Sequence, residues 1–153
     1  SSAASDVYKR QAHAHPMYGK TFSTLGKTLD PISQDSCAFY ERTALFADYD
    51  GVANGPDEGI NIAKALGDKD FVILQNHGIL TTGTMVDTTI WYFLNMEDAC
   101  KSQLLAEAVG KPIIIPHETA CATRDYVAND LSAYVSFQPT VDVLWEEEPD
   151  LLD

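Results

Sequence analysis

The stretch Phe71-Val72-Ile73-Leu74-Gln75-Asn76-His77-Gly78-Ile79-Leu80-Thr81-Thr82-Gly83 decides the fold class. Four consecutive apolar residues, three of them β-branched or aromatic, read as a short strand covered on both faces. Asn76-His77-Gly78 interrupts the run with turn residues. Ile79 to Thr82 resumes strand character and Gly83 turns again. A buried strand that ends on a polar triplet puts His77 at the rim of a sheet, where sites in layered folds form.

Helical signals lie on both sides. Upstream, Asn54-Gly55-Pro56-Asp57-Glu58 offers a cap, a first-turn proline and two acids where the helix dipole favours them. Ile60, Ala63 and Leu66 are the expected buried stripe, and Gly67 the stop. Downstream, Thr84 starts a capping box with Asp87, and a helix is expected to run to about Val109. Its inner face would carry Val86, Ile90, Phe93 or Leu94, Cys100, Leu104 and Ala108, widened by Trp91, before Gly110 and Pro112 end it. Helices and strands alternate, which predicts a layered α/β architecture.

Near the start, Gln11-Ala12-His13-Ala14-His15-Pro16 places two histidines two positions apart. On an extended strand both would point to one face, their Cα atoms about 6.5 Å apart, close enough to converge on one ion. Two ligands do not make a site, and on spacing alone the pair reads as readily as a chance surface pair. His77 is the candidate third ligand. Three neutral imidazoles would leave a position open, as in a catalytic zinc site. Asn76 reads either as a partner that orients a histidine ligand or as a turn residue.

Composition excludes several classes. The 153 residues are 45% hydrophobic and 22% charged, enough for one folded domain. A net charge of −13 argues against nucleic acid and anionic membrane surfaces as partners. Cys37, Cys100 and Cys121 are odd in number and widely spaced, which favours free thiols in a reducing, cytoplasmic compartment. The longest aliphatic runs are too short to span a bilayer.

Elsewhere, residues 1–11 lack an initiator Met and any periodicity, and read as a non-native leader with the natural chain continuing upstream. Pro16 would open a helix through Leu25, stopped at Gly26. Ser33 would cap a brief helix to Phe39 or Tyr40, and Ala44 to Tyr49 would form a strand ended by Gly51. Tyr40 reads as a core aromatic and His117 as an isolated surface histidine. Glu118 to Tyr126 and Asp130 to Phe137 read as short helices before an acidic tail.

The elements Ala12-His13-Ala14-His15-Pro16, Leu25-Gly26-Lys27, Ile32-Ser33-Gln34-Asp35, Ala65-Leu66-Gly67 and Leu74-Gln75-Asn76-His77-Gly78-Ile79-Leu80 resemble the class II aldolase/adducin family in order and spacing. The resemblance runs from about Ala12 to Ala108. It implies a family-like domain over residues 12–110, with 111–153 as a C-terminal extension. It implies a three-layer α/β/α sandwich around a mostly antiparallel sheet, homotetrameric assembly, and a divalent ion, usually zinc, on His13, His15 and His77. It further implies metal-assisted cleavage of a carbon–carbon bond in a small hydroxy-carbonyl, sugar-like substrate through an enediolate. Decarboxylation, epimerisation and dehydration on the same scaffold are the alternatives, with a non-catalytic adducin-like module as a third. The family's acid/base glutamate is expected upstream of His13, where this sequence has no acid in a comparable position.

Overall fold

The computed structural model describes residues 10–48 and 56–152. Four strands, β1 (Arg10–Ala14), β2 (Thr43–Phe46), β3 (Phe71–Leu74) and β4 (Gly78–Gly83), form one sheet in the order β1-β4-β3-β2. β4 pairs antiparallel with both β1 and β3, while β2 runs parallel to β3, so the sheet is mostly antiparallel. Among the described residues five helices accompany it: α1 (Met17–Ser23), α2 (Pro56–Leu66), α3 (Val86–Val109), α4 (His117–Val127) and α5 (Asp130–Glu147). Short 3-10 segments cover Ser36–Phe39 and Pro149–Leu152.

Alternation along the strands divides the core into two layers. Phe71, Ile73 and Ile79 face one way and pack with Phe22 of α1, Phe39, and Tyr92, Met96 and Cys100 of α3. Val72, Leu74, Leu80 and Phe46 face the other way and meet Ile62, Ala65 and Leu66 of α2. β3 is buried along its whole length, as its unbroken apolar run predicts. Each fully buried side chain of this size contributes about 1.5–3 kcal/mol. The result is the expected α/β/α sandwich. The last two helices belong to the same body: Ala120 and Ala133 are fully buried, and Arg42 donates through Nη1 to the Ala128 carbonyl at 2.8 Å.

Several expectations shift in detail. α2 turns Ile62, Ala65 and Leu66 inward, and Ile60 is half exposed. α3 buries Thr88, Thr89, Tyr92, Met96, Ala99, Cys100 and Gln103, while Val86 and Leu94 face outward. A stripe drawn through apolar residues alone finds Cys100, with Trp91, Phe93 and Leu104 packed against the core, but passes over the buried Thr88, Thr89 and Gln103, whose side chains are hydrogen-bonded within the protein. The Thr88 and Thr89 hydroxyls donate to the Met85 carbonyl at 3.1 and 2.7 Å, and Gln103 Oε1 accepts from the Asp30 N–H at 2.9 Å. Thr84 does not cap α3: Met85 holds the N-cap position, and the Thr84 hydroxyl donates to Asp130 Oδ2 instead. α1 stops at Ser23, before Leu25 and Gly26. α5 runs ten residues past Phe137, through Pro139. The carbonyl that Pro139 cannot engage belongs to exposed Val135, where water can serve it. Asp35, not Ser33, holds the N-cap position of the 3-10 turn, although Ser33 Oγ accepts from the Ser36 N–H at 3.1 Å. Of the leader expected over residues 1–11, Arg10 and Gln11 belong to β1 and pair with Gly83 and Thr82; residues 1–9, the strand end at Tyr49 and Gly51, and the Asn54-Gly55 cap fall outside the described residues.

Candidate metal centre

Register brings His13 and His77 together. On β1, His13 pairs with Leu80 and Ala14 with Ile79, so the strand ends beside the β3–β4 turn that carries His77. His15 follows one residue beyond the strand and leads through Pro16 into α1. The three rings meet edge to face, with centroids 5.1 Å apart for His13–His15, 5.0 Å for His13–His77 and 4.5 Å for His15–His77. Their nitrogen donors lie within 4.8 Å of one another. A tetrahedral zinc ion, with bonds of about 2.0–2.1 Å, spaces nitrogens about 3.3–3.4 Å apart. Ring rotations that draw the nitrogens together by at most about 1.5 Å close the triangle.

Each arm is held by backbone contacts. In the β3–β4 turn, the Gln75 N–H donates to the Phe46 carbonyl, the Asn76 N–H to Ser23 and the His77 N–H to Leu74. Asn76 has a φ of 58°, a left-handed conformation that asparagine tolerates. It is exposed at the tip of the turn. Gly78 lets β1 pass close by: a Cβ there would lie 2.5 Å from the Ala14 carbonyl oxygen and 3.2 Å from His15 Cδ2. On the other arm, Glu97 of α3 clasps the first turn of α1. Its Oε1 accepts from the Tyr18 N–H at 2.8 Å and its Oε2 from the Gly19 N–H at 2.5 Å. A carboxylate at a helix N-terminus satisfies orphan donors and complements the dipole. No pattern in the sequence singles out Glu97, because its partners are backbone groups 78 and 79 residues away.

His13 has one further fixed partner. Its Nδ1 lies 2.9 Å from the Ile79 carbonyl oxygen. A carbonyl only accepts, so Nδ1 carries the proton and Nε2 keeps its lone pair for an ion. This is the outer support that metal-binding histidines commonly use, supplied here by backbone. Three nitrogens, one with its tautomer already set, suit a zinc-class ion.

The pair His13 and Leu80 lies on the α2 side of the sheet, and a cavity of about 250 Å3 opens there. Ile62, Ala63, Leu66 and Leu80 line it together with His13 and Thr82. Among the described residues no charged side chain contributes to this lining, which suits an apolar or neutral group.

Two sequence expectations change at a second place. Tyr40 is not a core residue: its hydroxyl sits 3.1 Å from His117 Nδ1. His117 is not isolated either, since it gathers with Glu41 and Cys121. Its four-residue spacing from Cys121 was visible in the sequence, but Glu41 was not connected to either.

Among the described residues, no helix is long and apolar enough to cross a membrane. Comparison with known proteins supplies the remaining findings. The family model described as class II aldolase and adducin N-terminal domain matches residues 7–104. Decarboxylase NovR of Streptomyces niveus is 37% identical over 139 residues, covering 91% of this chain and 52% of that protein. A Streptomyces roseochromogenus protein named 4-hydroxy-3-prenylphenylpyruvate oxygenase/4-hydroxy-3-prenylbenzoate synthase is also 37% identical, over 91% of this chain and 50% of its own length. The solved structure of L-fuculose 1-phosphate aldolase from Glaciozyma antarctica superposes with a TM-score of 0.82 at 38% identity, over 92% of this chain and 53% of that one. The chain thus spans about half the length of the curated relatives it matches.

Proposed function

The chain belongs to the class II aldolase and adducin family, and from that premise we propose that it carries the metal centre of a lyase. In this reading His13, His15 and His77 hold one divalent ion, zinc by donor preference, and the enzyme breaks a carbon–carbon bond in a small hydroxy-carbonyl substrate. The observation that carries the reading is the convergence of three imidazoles from two segments more than sixty residues apart. Such a cluster gains little from packing on an exposed rim, and this supports a metal-binding reading over a non-catalytic interaction module.

Bound there, the ion supplies a Lewis acid that polarises a substrate oxygen and favours the charge that develops as the bond breaks. The chain's own residues do the positioning. Ile79 sets the His13 tautomer, Glu97 fixes the start of α1 behind His15, and Gly78 lets the two histidine segments approach. Leu80, Ile62 and Leu66 exclude water from one side and receive the substrate's neutral end.

That lining favours a second reading, decarboxylation of a substrate with an apolar body. Aldol cleavage and decarboxylation break the same kind of bond and develop similar charge, so one centre serves both. The Streptomyces niveus relative carries the decarboxylase name. Assembly into a homo-oligomer accompanies both readings.

The test is metal analysis of the purified protein. It should hold close to one equivalent of zinc at this centre, and His77→Ala should lose it while melting cooperatively. Zinc content unchanged by His77→Ala would sink the assignment. Supplying hydroxy-carbonyl and 2-oxo-acid substrates to the full-length enzyme separates the two reactions.

A further inference from the structure

Away from the three histidine rings, α4 and the turn after the Ser36–Phe39 segment bring together a different donor set. His117 and Cys121 stand one helical turn apart on α4 and so face the same side. Glu41 reaches them from the turn, where its φ of 59° is a costly conformation for a residue with a Cβ. His117 Nδ1 is 3.8 Å from Glu41 Oε1. Cys121 Sγ is 3.7 Å from Glu41 Oε2 and 3.8 Å from His117 Nδ1. Glu41 meets its two neighbours through different oxygens, and one donor atom from each of the three residues lies within 4.8 Å of the other two. A tetrahedral ion with bonds of about 2.0–2.2 Å to nitrogen or oxygen and about 2.3 Å to sulfur sets its donors about 3.3–3.6 Å apart. Side-chain rotations that draw the donors together by at most about 1.5 Å admit one.

We propose that Glu41, His117 and Cys121 form a second metal site, selective for a zinc-class divalent ion and independent of the three-histidine centre. Imidazole, thiolate and carboxylate together favour zinc over magnesium or calcium, which take oxygen donors. Cys121 binds as the thiolate, its proton going to solvent. The surroundings already provide supports. Arg124 Nη1 holds Glu41 Oε2 at 3.1 Å and leaves Oε1 for the ion, while the Tyr40 hydroxyl, 3.1 Å from His117 Nδ1, withdraws as the ion arrives. A plain hydrogen-bonded cluster would not need a thiol at its centre, since sulfur makes only weak hydrogen bonds. With three protein ligands the site keeps a position for water, and its effect is to clip α4 to the Tyr40–Glu41 turn.

Cobalt(II) separates the two sites, because only this one contains sulfur. Titration of the metal-free full chain should produce a near-ultraviolet thiolate-to-cobalt charge-transfer band. The band should persist in His77→Ala, vanish in Cys121→Ser, and need roughly tenfold or more cobalt in Glu41→Gln. Zinc should raise the melting temperature of His77→Ala but not of His77→Ala combined with Cys121→Ser. Metal-free Cys121→Ser should melt like its parent, which excludes a folding defect. No band, or a band that survives Cys121→Ser, overturns the proposal.

Discussion

His13 Nδ1 lies 2.9 Å from the carbonyl oxygen of Ile79, 66 residues further along the chain. The contact is a product of strand register, since His13 pairs with Leu80 and Ala14 with Ile79 on the antiparallel ladder. It gives His13 a definite tautomer before any ion arrives. Nitrogen NMR of the metal-free protein at neutral pH should therefore show His13 protonated at Nδ1 and bare at Nε2. Zinc should shift Nε2 and leave the Nδ1 proton in place. A proton found on Nε2 would remove this residue from the ligand set as described.

Gly78 makes the approach of the two histidine segments possible. A methyl group there would sit 2.5 Å from the Ala14 carbonyl oxygen, and backbone must yield. Overpacking of this kind costs about 1–3 kcal/mol. Gly78→Ala should lower the urea midpoint accordingly, and should weaken zinc binding because β1 carries His13 with it. A variant with the parent's midpoint and zinc affinity would contradict the close approach.

How far the sequence led can be judged from particular residues. β3 was legible because Phe71 to Leu74 is buried on both faces, and a strand of that kind needs no partner information to be recognised. The three histidines were legible as residue types, but their meeting depends on the pairing of β1 with β4, a long-range choice that no local pattern encodes. The inner face of α3 was read only in part, because an apolar stripe passes over buried polar residues: Thr88 and Thr89 donate to the Met85 carbonyl within one turn, and Gln103 bonds across the fold to Asp30. Glu97 and Glu41 were invisible for a related reason: a carboxylate at a given spacing says nothing until the fold brings distant backbone or donors to it.

Glu97 lies outside the three-histidine cluster yet should affect it. Its two oxygens receive the Tyr18 and Gly19 N–H groups, and these open the helix that follows His15. Glu97→Gln keeps the shape but turns an amide donor toward one of those N–H groups. Loss of a charge-assisted pair costs about 1–2 kcal/mol. The variant should be destabilised by that amount and bind zinc less tightly, with unchanged stoichiometry. Reduced stability with zinc affinity intact would restrict Glu97 to holding the fold.

The link between α3 and the loop after α1 predicts a pH response. Lys27 Nζ lies 2.5 Å from Glu107 Oε1, and Gln103 Nε2 donates to the same oxygen at 2.7 Å. The Lys27 bond, seconded by Gln103, holds the Glu107 carboxyl below its ordinary value. Burial pulls the Lys27 pKa down, but Glu107 and Asp30 outweigh it and leave the ammonium above its ordinary value. The signs follow by linkage. Glu107 contributes stability in full above its unfolded pKa and loses it as pH falls through its lowered folded value. Lys27 contributes in full below its unfolded value and loses it as pH rises through its raised folded one. The pair is thus at full strength across the neutral range and weakens at both extremes. Side-chain exposures of 37% and 31% keep its worth at about 0.2–1 kcal/mol. Lys27→Met should therefore lower the urea midpoint most near neutral pH, and the gap from the parent should narrow toward pH 3. A gap that stays constant from neutral to acid pH would mean that packing of the lysine stem, not the ion pair, sets the contribution.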